Sequence, residues 1–581
     1  MSTVIEPAAI EVSDLDTLRD KGVIVVKGEQ RRIAVFADGN EVYAVENNCP
    51  HMGFPLNKGS VRDGILTCYW HQARFDLKTG CTFDLWADDV LRYDCWVDDG
   101  SVFVAPTPRT VLDETFHRKR LNRGIEQNIG LVQAKSLLAL IEGGAELTSI
   151  VTEVVEFAAR NLNSFTEGMT RLGCVINLYP FLSKDTGYQA LYYAIRQLAE
   201  EINSAVPRRE REPLQGGDHT LAELLPWMRQ WVQTRHRDGA ERTLLTGISN
   251  LSGADLAELV FCGASERLYS DGGHHLEDCN KVFELVDHLG SEFEAALFPL
   301  IVPSMTGAMG QEESTNWHHP IEIVEPLRAV ELELEELLKV TTLESWAPEE
   351  SFAETLLGDD PIAIIEALKG ALAQGAPVVN LAQQVSYVAA LRLARFALSN
   401  EVTDWFNPQH TFIFTNGVYE AVRRSSAPLV VRAIFQGAIS VFMDRYLNAP
   451  PARPPTDAVI LELPDNGREL LSRLLSELDQ RGSVEAAAAI VTRYLRLDLP
   501  FEELVDTLTL ATVREDLDFH SLQVLAAGVN QCQAWGQGIE REHILVGVVR
   551  NLAAHCPTRR AGHQTASIAK RLHRGERIYE G

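Results

Sequence analysis

The chain has 581 residues, 45% hydrophobic and 23% charged, which excludes a collagen, a disordered tail and a disulfide miniprotein, and is long enough for roughly three or four domains. Its 53 basic and 81 acidic residues leave a net charge of −28, which repels phosphate backbones and anionic lipid and argues against nucleic-acid or membrane-surface binding. Nine cysteines, the acidic opening MSTVIEPAAIEVSDLD and the interruption by Arg432 of the best apolar run, near 428–443, point away from disulfides, a signal peptide and a membrane span. The expected setting is the cytoplasm, with small-molecule substrates or a basic protein partner.

From the N-terminus the chain reads as short strands. GVIVVKG, RRIAVFA, EVYAVEN, ILTCYW and SVFVAP are β-branched and aromatic, and Gly, Asp and Asn punctuate them. A small all-β domain over 1–106 is expected. It contains Cys49-Pro50-His51 and, sixteen residues later, Cys68-Tyr69-Trp70-His71. Two Cys and two His in such pairs suit a tetrahedral zinc ion as well as a redox cluster.

The flanking residues separate these alternatives. CPHMGFPLNKG and CYWHQARFDLKTG resemble, in order and spacing, the two cluster-binding loops of the Rieske ferredoxin family, over about residues 5–106. The resemblance implies a [2Fe–2S] cluster with Cys49 and Cys68 on one iron and His51 and His71 on the other. Neutral imidazoles in place of two thiolates raise the reduction potential. Phe54 and Trp70 stand where respiratory members carry a disulfide pair, which implies the lower-potential ferredoxin or oxygenase type. Gln72 stands where the family has glycine, so an altered second loop is expected. Cys81 and Cys95 are expected as buried strand residues. Asp88, Asp89, Asp98 and Asp99 read as solvated turn residues or as a docking site for a reductase.

APTPRT at 105–110, leading into a linker at 107–115, ends this region. Beyond it apolar residues recur at helical spacing, as in LTSIVTEVVEFAARNL and VVNLAQQVSYVAALRLARF. The fold class is therefore a small all-β Rieske domain followed by a large all-α domain. Three segments repeat in order: Gly144-Ala145 matches Gly375-Ala376, Phe165–Gly168 matches Phe414–Gly417, and His274 matches His520. Two homologous helical halves, 116–345 and 350–581, are expected. HTFIFTNGVYEA, REDLDFHSLQVLAAG and NLAAHCPT resemble the questin-oxidase-like family, which implies oxygen chemistry without assigning a catalytic residue. Asp271-Gly-Gly-His274 starts like the iron motif of ring-hydroxylating α-subunits, but no second His follows at the right distance.

Histidine and carboxylate clusters are the candidate chemistry. His274, His275 and His520 are the catalytic candidates. His275, Asp278, Glu284, His288, His410 and His520 are candidates for a second, non-haem iron site, as carboxylate and imidazole groups projecting from neighbouring helices can hold one. Helix capping or packing is the alternative for each. Trp317-His318-His319 reads as a loop or lid. No dinucleotide fingerprint, P-loop or nucleophile elbow appears, so electrons are expected from a separate ferredoxin or NAD(P)H-dependent reductase. The leading functional reading is a mono- or dioxygenase acting on an organic substrate, aromatic ones included, with a homo-oligomer compatible with it. The alternative is an electron-transfer or redox-sensing protein whose helices bind a partner.

Overall fold

A computed structural model describes residues 9–39, 41–109, 112–206, 208–576 and 578–580. It has two compact units, one of residues up to Leu147 together with those from Gln564, the other of Thr148–His563.

The first unit is built on nine strands: β1 (Ile10–Asp14), β2 (Val23–Lys27), β3 (Arg32–Asp38), β4 (Glu41–Glu46), β5 (Ser60–Arg62), β6 (Ile65–Thr67), β7 (Arg74–Asp76), β8 (Arg92–Asp98) and β9 (Ser101–Pro108). Six form an antiparallel sheet in the order β1-β9-β8-β4-β3-β2, and β5-β6-β7 form a second. Alternate residues of a strand face opposite sides. On β3, Ala34 and Phe36 enter one core with Val45, Leu66 and Phe75, while Ile33 and Val35 enter another with Tyr93, Val102 and Val104. Burial on both faces explains why β3 reads as an unbroken apolar run. Cys49 and Cys68 belong to the first of these cores.

Two helices follow the strands, α1 being the short Leu15–Lys21: α2 (Glu114–Glu126), capped by the Asp113 side chain on Phe116 N–H, and α3 (Gly130–Glu142). Three expectations need revision. The linker is shorter than 107–115, because β9 runs to Pro108 and α2 starts at Glu114. Cys81 is exposed outside any strand, and Cys95 on β8 is only half-buried. The boundary after 106 does not divide the compact units, because α2, α3 and the C-terminal residues go with the strands.

The second unit is helical, and residues from both expected halves lie in this one body. Its central members here are α4 (Glu167–Leu178), α5 (His274–Leu289), α6 (Phe406–Arg424), α7 (Pro428–Met443) and α8 (Phe519–Trp535). Helix α5 packs on α4 and α6, and α8 packs on the same two. Residues paired by the repeat meet directly: His274 touches His520, and Gln523 Nε2 donates to Glu277 Oε2 at 3.0 Å, both pairs 246 apart in sequence. Ser291–Glu313 is long and apolar enough to cross a membrane by composition. It is broken into short helices, with Phe298, Leu300 and Val302 buried in the core.

Candidate functional site

The two loops of the first unit have the same backbone design. Cys49 N–H donates to Phe54 O and Gly53 N–H to Cys49 O, each at 2.8 Å. In the second loop Cys68 N–H donates to Ala73 O at 2.8 Å and Gln72 N–H to Cys68 O at 2.9 Å. Gly53 and Gln72 close the turns at φ of +80° and +64°. The second loop is therefore not altered by Gln72 in its hydrogen bonding. It carries a side chain in a left-handed conformation that glycine adopts without strain. Both sulfurs are buried, and each faces two backbone N–H groups: those of His51 and Met52 at Cys49, and those of Trp70 and His71 at Cys68. Such donors favour thiolates.

The His51 and His71 rings meet edge-on with centroids 4.8 Å apart, Trp86 packing on the first and Trp70 on the second. Nδ1 of His51 is buried without a hydrogen-bond partner. Two buried sulfurs supplied with N–H donors, an orphaned ring nitrogen and a second imidazole beside it are the donor set a Rieske cluster needs.

The comparisons agree with that geometry. A family model for the Rieske [2Fe–2S] domain matches residues 8–89. The ferredoxin subunit of 3-phenylpropionate/cinnamic acid dioxygenase from Escherichia coli (strain K12) is 36% identical over 74 residues, 12% of this chain and 70% of that relative. The chain belongs to the Rieske [2Fe–2S] family. Its match to apoptosis-inducing factor 3 of Homo sapiens is 26% identical over 149 residues, covering 26% of this chain and 24% of that protein. The chain thus spans about a quarter of that relative's length. The ferredoxin of carbazole 1,9a-dioxygenase from Nocardioides aromaticivorans IC177 matches 17% of the chain and 100% of its own, at 30% identity and a TM-score of 0.17. The Rieske domain carries a [2Fe–2S] cluster, and its relatives are components of redox and oxygenase systems.

Helical residues outside the Rieske match converge at a second place. His274 opens α5, and the preceding Asp271, Gly272 and Gly273 all have positive φ. A Cβ at residue 273 would come within 2.6 Å of the Phe414 ring, so glycine lets this turn press against α6. His410 lies in the first turns of α6 and His520 is the second residue of α8. His410 Nε2 is 2.8 Å from His520 Nε2, which is 3.4 Å from His274 Nε2. Three donor atoms, one from each residue, lie within 4.8 Å of one another. Metal–imidazole bonds of about 2.0–2.1 Å at right angles place neighbouring nitrogens about 3 Å apart, close to the two distances His520 makes here.

The surroundings favour the neutral form of His274 and His410, the form that binds metal. Burial, reinforced by His520, pushes His274 down to about 4 and His410 down to about 3. Phe406 and Phe519 pack against the rings. Asp518 caps α8 and its Oδ1 lies 3.3 Å from His520 Nδ1. Burial pushes this carboxyl up, but its interactions with His520 hold it below the ordinary range. The carboxylate thus places a negative charge behind the ring, while its only hydrogen bond from His520 is the backbone one. His410 also lines a cavity of about 530 Å³ walled by Tyr269, Trp317, Phe442 and Tyr446, with Asp444 and His319 among its polar groups. That volume suits a small organic molecule.

The structure does not bring the other candidates to this point. His275 is buried with both ring nitrogens unpartnered, its Nε2 4.0 Å from Asp271; one residue beyond His274 it is turned about 100° around the helix. Asp278 is not among the convergent donors; burial, with Asp271 adding to it, pushes its carboxyl up to about 8. Glu284 and His288 sit about 15 and 21 Å further along α5, at 1.5 Å per residue. Glu284 accepts from Lys281 and Asn177, and His288 meets Asn177, around a separate polar cavity of about 510 Å³. Trp317 is buried and stacked on Tyr269, and His318 bonds Glu322 and Glu312 O, so this segment is pinned rather than a free lid. Asp88 is not a solvated turn residue: Arg120 and Lys135 pair with it. Sequence reasoning missed Asp518 and Lys135. The single lysine in the apolar run GLVQAKSLLALIE was the available signal for the last.

Proposed function

We propose that the chain is an oxygenase-type oxidoreductase. Its Rieske domain takes electrons from a separate ferredoxin or NAD(P)H-dependent reductase. Its helical unit acts on an organic substrate at an iron held by His274, His410 and His520. The observation that carries this reading is the meeting of His274, His410 and His520 from three helices, with His410 also lining an organic-sized cavity. Support also comes from relatives named as ferredoxin subunits of aromatic dioxygenases.

A bound iron would supply the reductive oxygen chemistry. The residues supply the rest. The three imidazoles bind it, Asp518 places a carboxylate behind His520, and Phe406 and Phe519 exclude water from one side. The aromatic walls of the cavity hold an apolar body beside His410, and Asp444 and His319 offer it polar contacts. Such an arrangement confines the protein's part to positioning and electrostatics.

The test uses the full chain expressed with iron. Iron in excess of acid-labile sulfide, by one atom per chain and lost in His410→Ala with the Rieske EPR signal unchanged, is the expected result. Iron equal to sulfide in the wild type would overturn the metal-dependent reading and favour an electron-transfer protein with a helical scaffold.

A further inference from the structure

The first cluster loop is held by a helix outside the segment matched by the family model. Lys135 on α3 donates through Nζ to Pro50 O and to His51 O, the latter at 3.0 Å. Its side chain is 14% exposed, and Nζ lies 3.9 Å from Asp88 Oδ2. Asp88, 13% exposed, is gripped by both guanidinium arms of Arg120 on α2. Arg123 of the same helix reaches Asp89 at 3.7 Å. Helices α2 and α3 pack on each other, so the cations come from one rigid pair.

Two loop carbonyls need donors, but a neutral amide or water could supply them. Burying an ammonium instead costs several kcal/mol of hydration, which Asp88 offsets only in part at 3.9 Å. What an ammonium adds is a positive charge where the dielectric is low; burial pulls Lys135 down to about 8, and Asp88 acts against that. Lys135 and Arg120 together against Asp88 leave that neighbourhood net positive. It adjoins the turn that carries Cys49 and His51.

We propose that Lys135 is a positioning residue that fixes the Pro50–His51 turn and raises the reduction potential of the Rieske cluster. One-electron reduction adds one negative charge between the four ligand side chains. A nearby fixed cation stabilises that state more than the oxidised one. Asp88 acts in the opposite sense and, by holding Lys135, limits the size of the effect. The proposal is independent of the helical iron site.

The test is an anaerobic dithionite titration of the full holoprotein, in which dithionite supplies the electron and the EPR signal of the reduced cluster reports the potential. Lys135→Gln, which keeps a donor and loses the charge, is expected to shift the midpoint downward. Lys135→Arg is expected to stay near the wild type. Asp88→Asn is expected to shift it upward. A Lys135→Gln protein with unchanged potential, whatever its melting temperature, would reduce Lys135 to a structural clamp and overturn the proposal. If that variant fails to hold the cluster, Asp88→Asn titrated at pH 6, well below the value of about 8 to which burial lowers Lys135, decides, and the absence of an upward shift overturns it equally.

Discussion

Cys49, His51, Cys68 and His71 sit in two loops that close on themselves by backbone hydrogen bonds. His274, His410 and His520 come from three helices and meet only because those helices pack, the last two 110 residues apart and the outer two 246. The loop site carries its geometry locally: each sulfur has N–H donors from the next three residues, and each turn closes in five. The helical site has no such local support. Its geometry depends on close contacts such as Gly273 against Phe414, and on the Asp518 cap behind His520. A site of the first kind is expected to be robust to distant changes. One of the second kind is expected to respond to packing anywhere along its helices.

The largest expected effect separates the two sites outright. His71→Ala should abolish the Rieske EPR signal and leave the extra iron, while His410→Ala should do the reverse; metal and sulfide analysis of both variants checks this. Loss of both centres in either variant would break the comparison. Next, Asp518→Asn leaves His520 in place but removes its charged partner. It should weaken iron binding at the helical site by about 10–100-fold, the usual scale for such partners, as read by chelator competition.

Glu277 tests the packing below the histidines. It is 2% exposed, with Oε1 unpartnered, and burial, opposed by Lys281, pushes its carboxyl up to about 8. In the unfolded chain the group ionises near 4.5, so the folded state binds the extra proton between these values. Its contribution to stability is present below pH 4.5 and lost as pH rises towards 8. Glu277→Gln should therefore lie close to the wild type at pH 4 and exceed it by about 4 kcal/mol at pH 8, at about 1.4 kcal/mol per pH unit. Denaturant melts at the two pH values measure the difference. The smallest effect belongs to the loop site. Gln72→Gly should relieve the positive φ and stabilise the Rieske domain by about 1 kcal/mol, with the EPR spectrum unchanged.

The strands around the cluster were legible because β-branched runs and turn residues alternate over short distances, yet β1, β5, β7 and β8 were not singled out. Two of these, β5 and β7, are three-residue strands whose pairing depends on neighbours rather than on their own pattern. Histidines 274 and 520 could be paired through the repeat, and that pairing led to the right rows of the helices. His275, Asp278, Glu284 and His288 misled because nearness in sequence on α5 was read as nearness in space. Along a helix, ten residues are about 15 Å, and a ligand set must share one level of the bundle rather than one helix. His410 gained its partners from α5 and α8, which no local pattern in HTFIFTNGVYEA announces.

By itself the sequence determined the four cluster ligands' spacing and the class of each region. Those depend on interactions within a few residues: alternation along a strand, helical periodicity, and loops whose own backbone closes them. Tertiary structure alone decided that His274, His410 and His520 share one point, that a cavity opens beside His410, and that Lys135 reaches the first cluster loop. Each of these is a contact between segments far apart in the chain. It is fixed by how helices pack at particular glycines and caps, and packing of that kind leaves no periodic trace in the order of the residues.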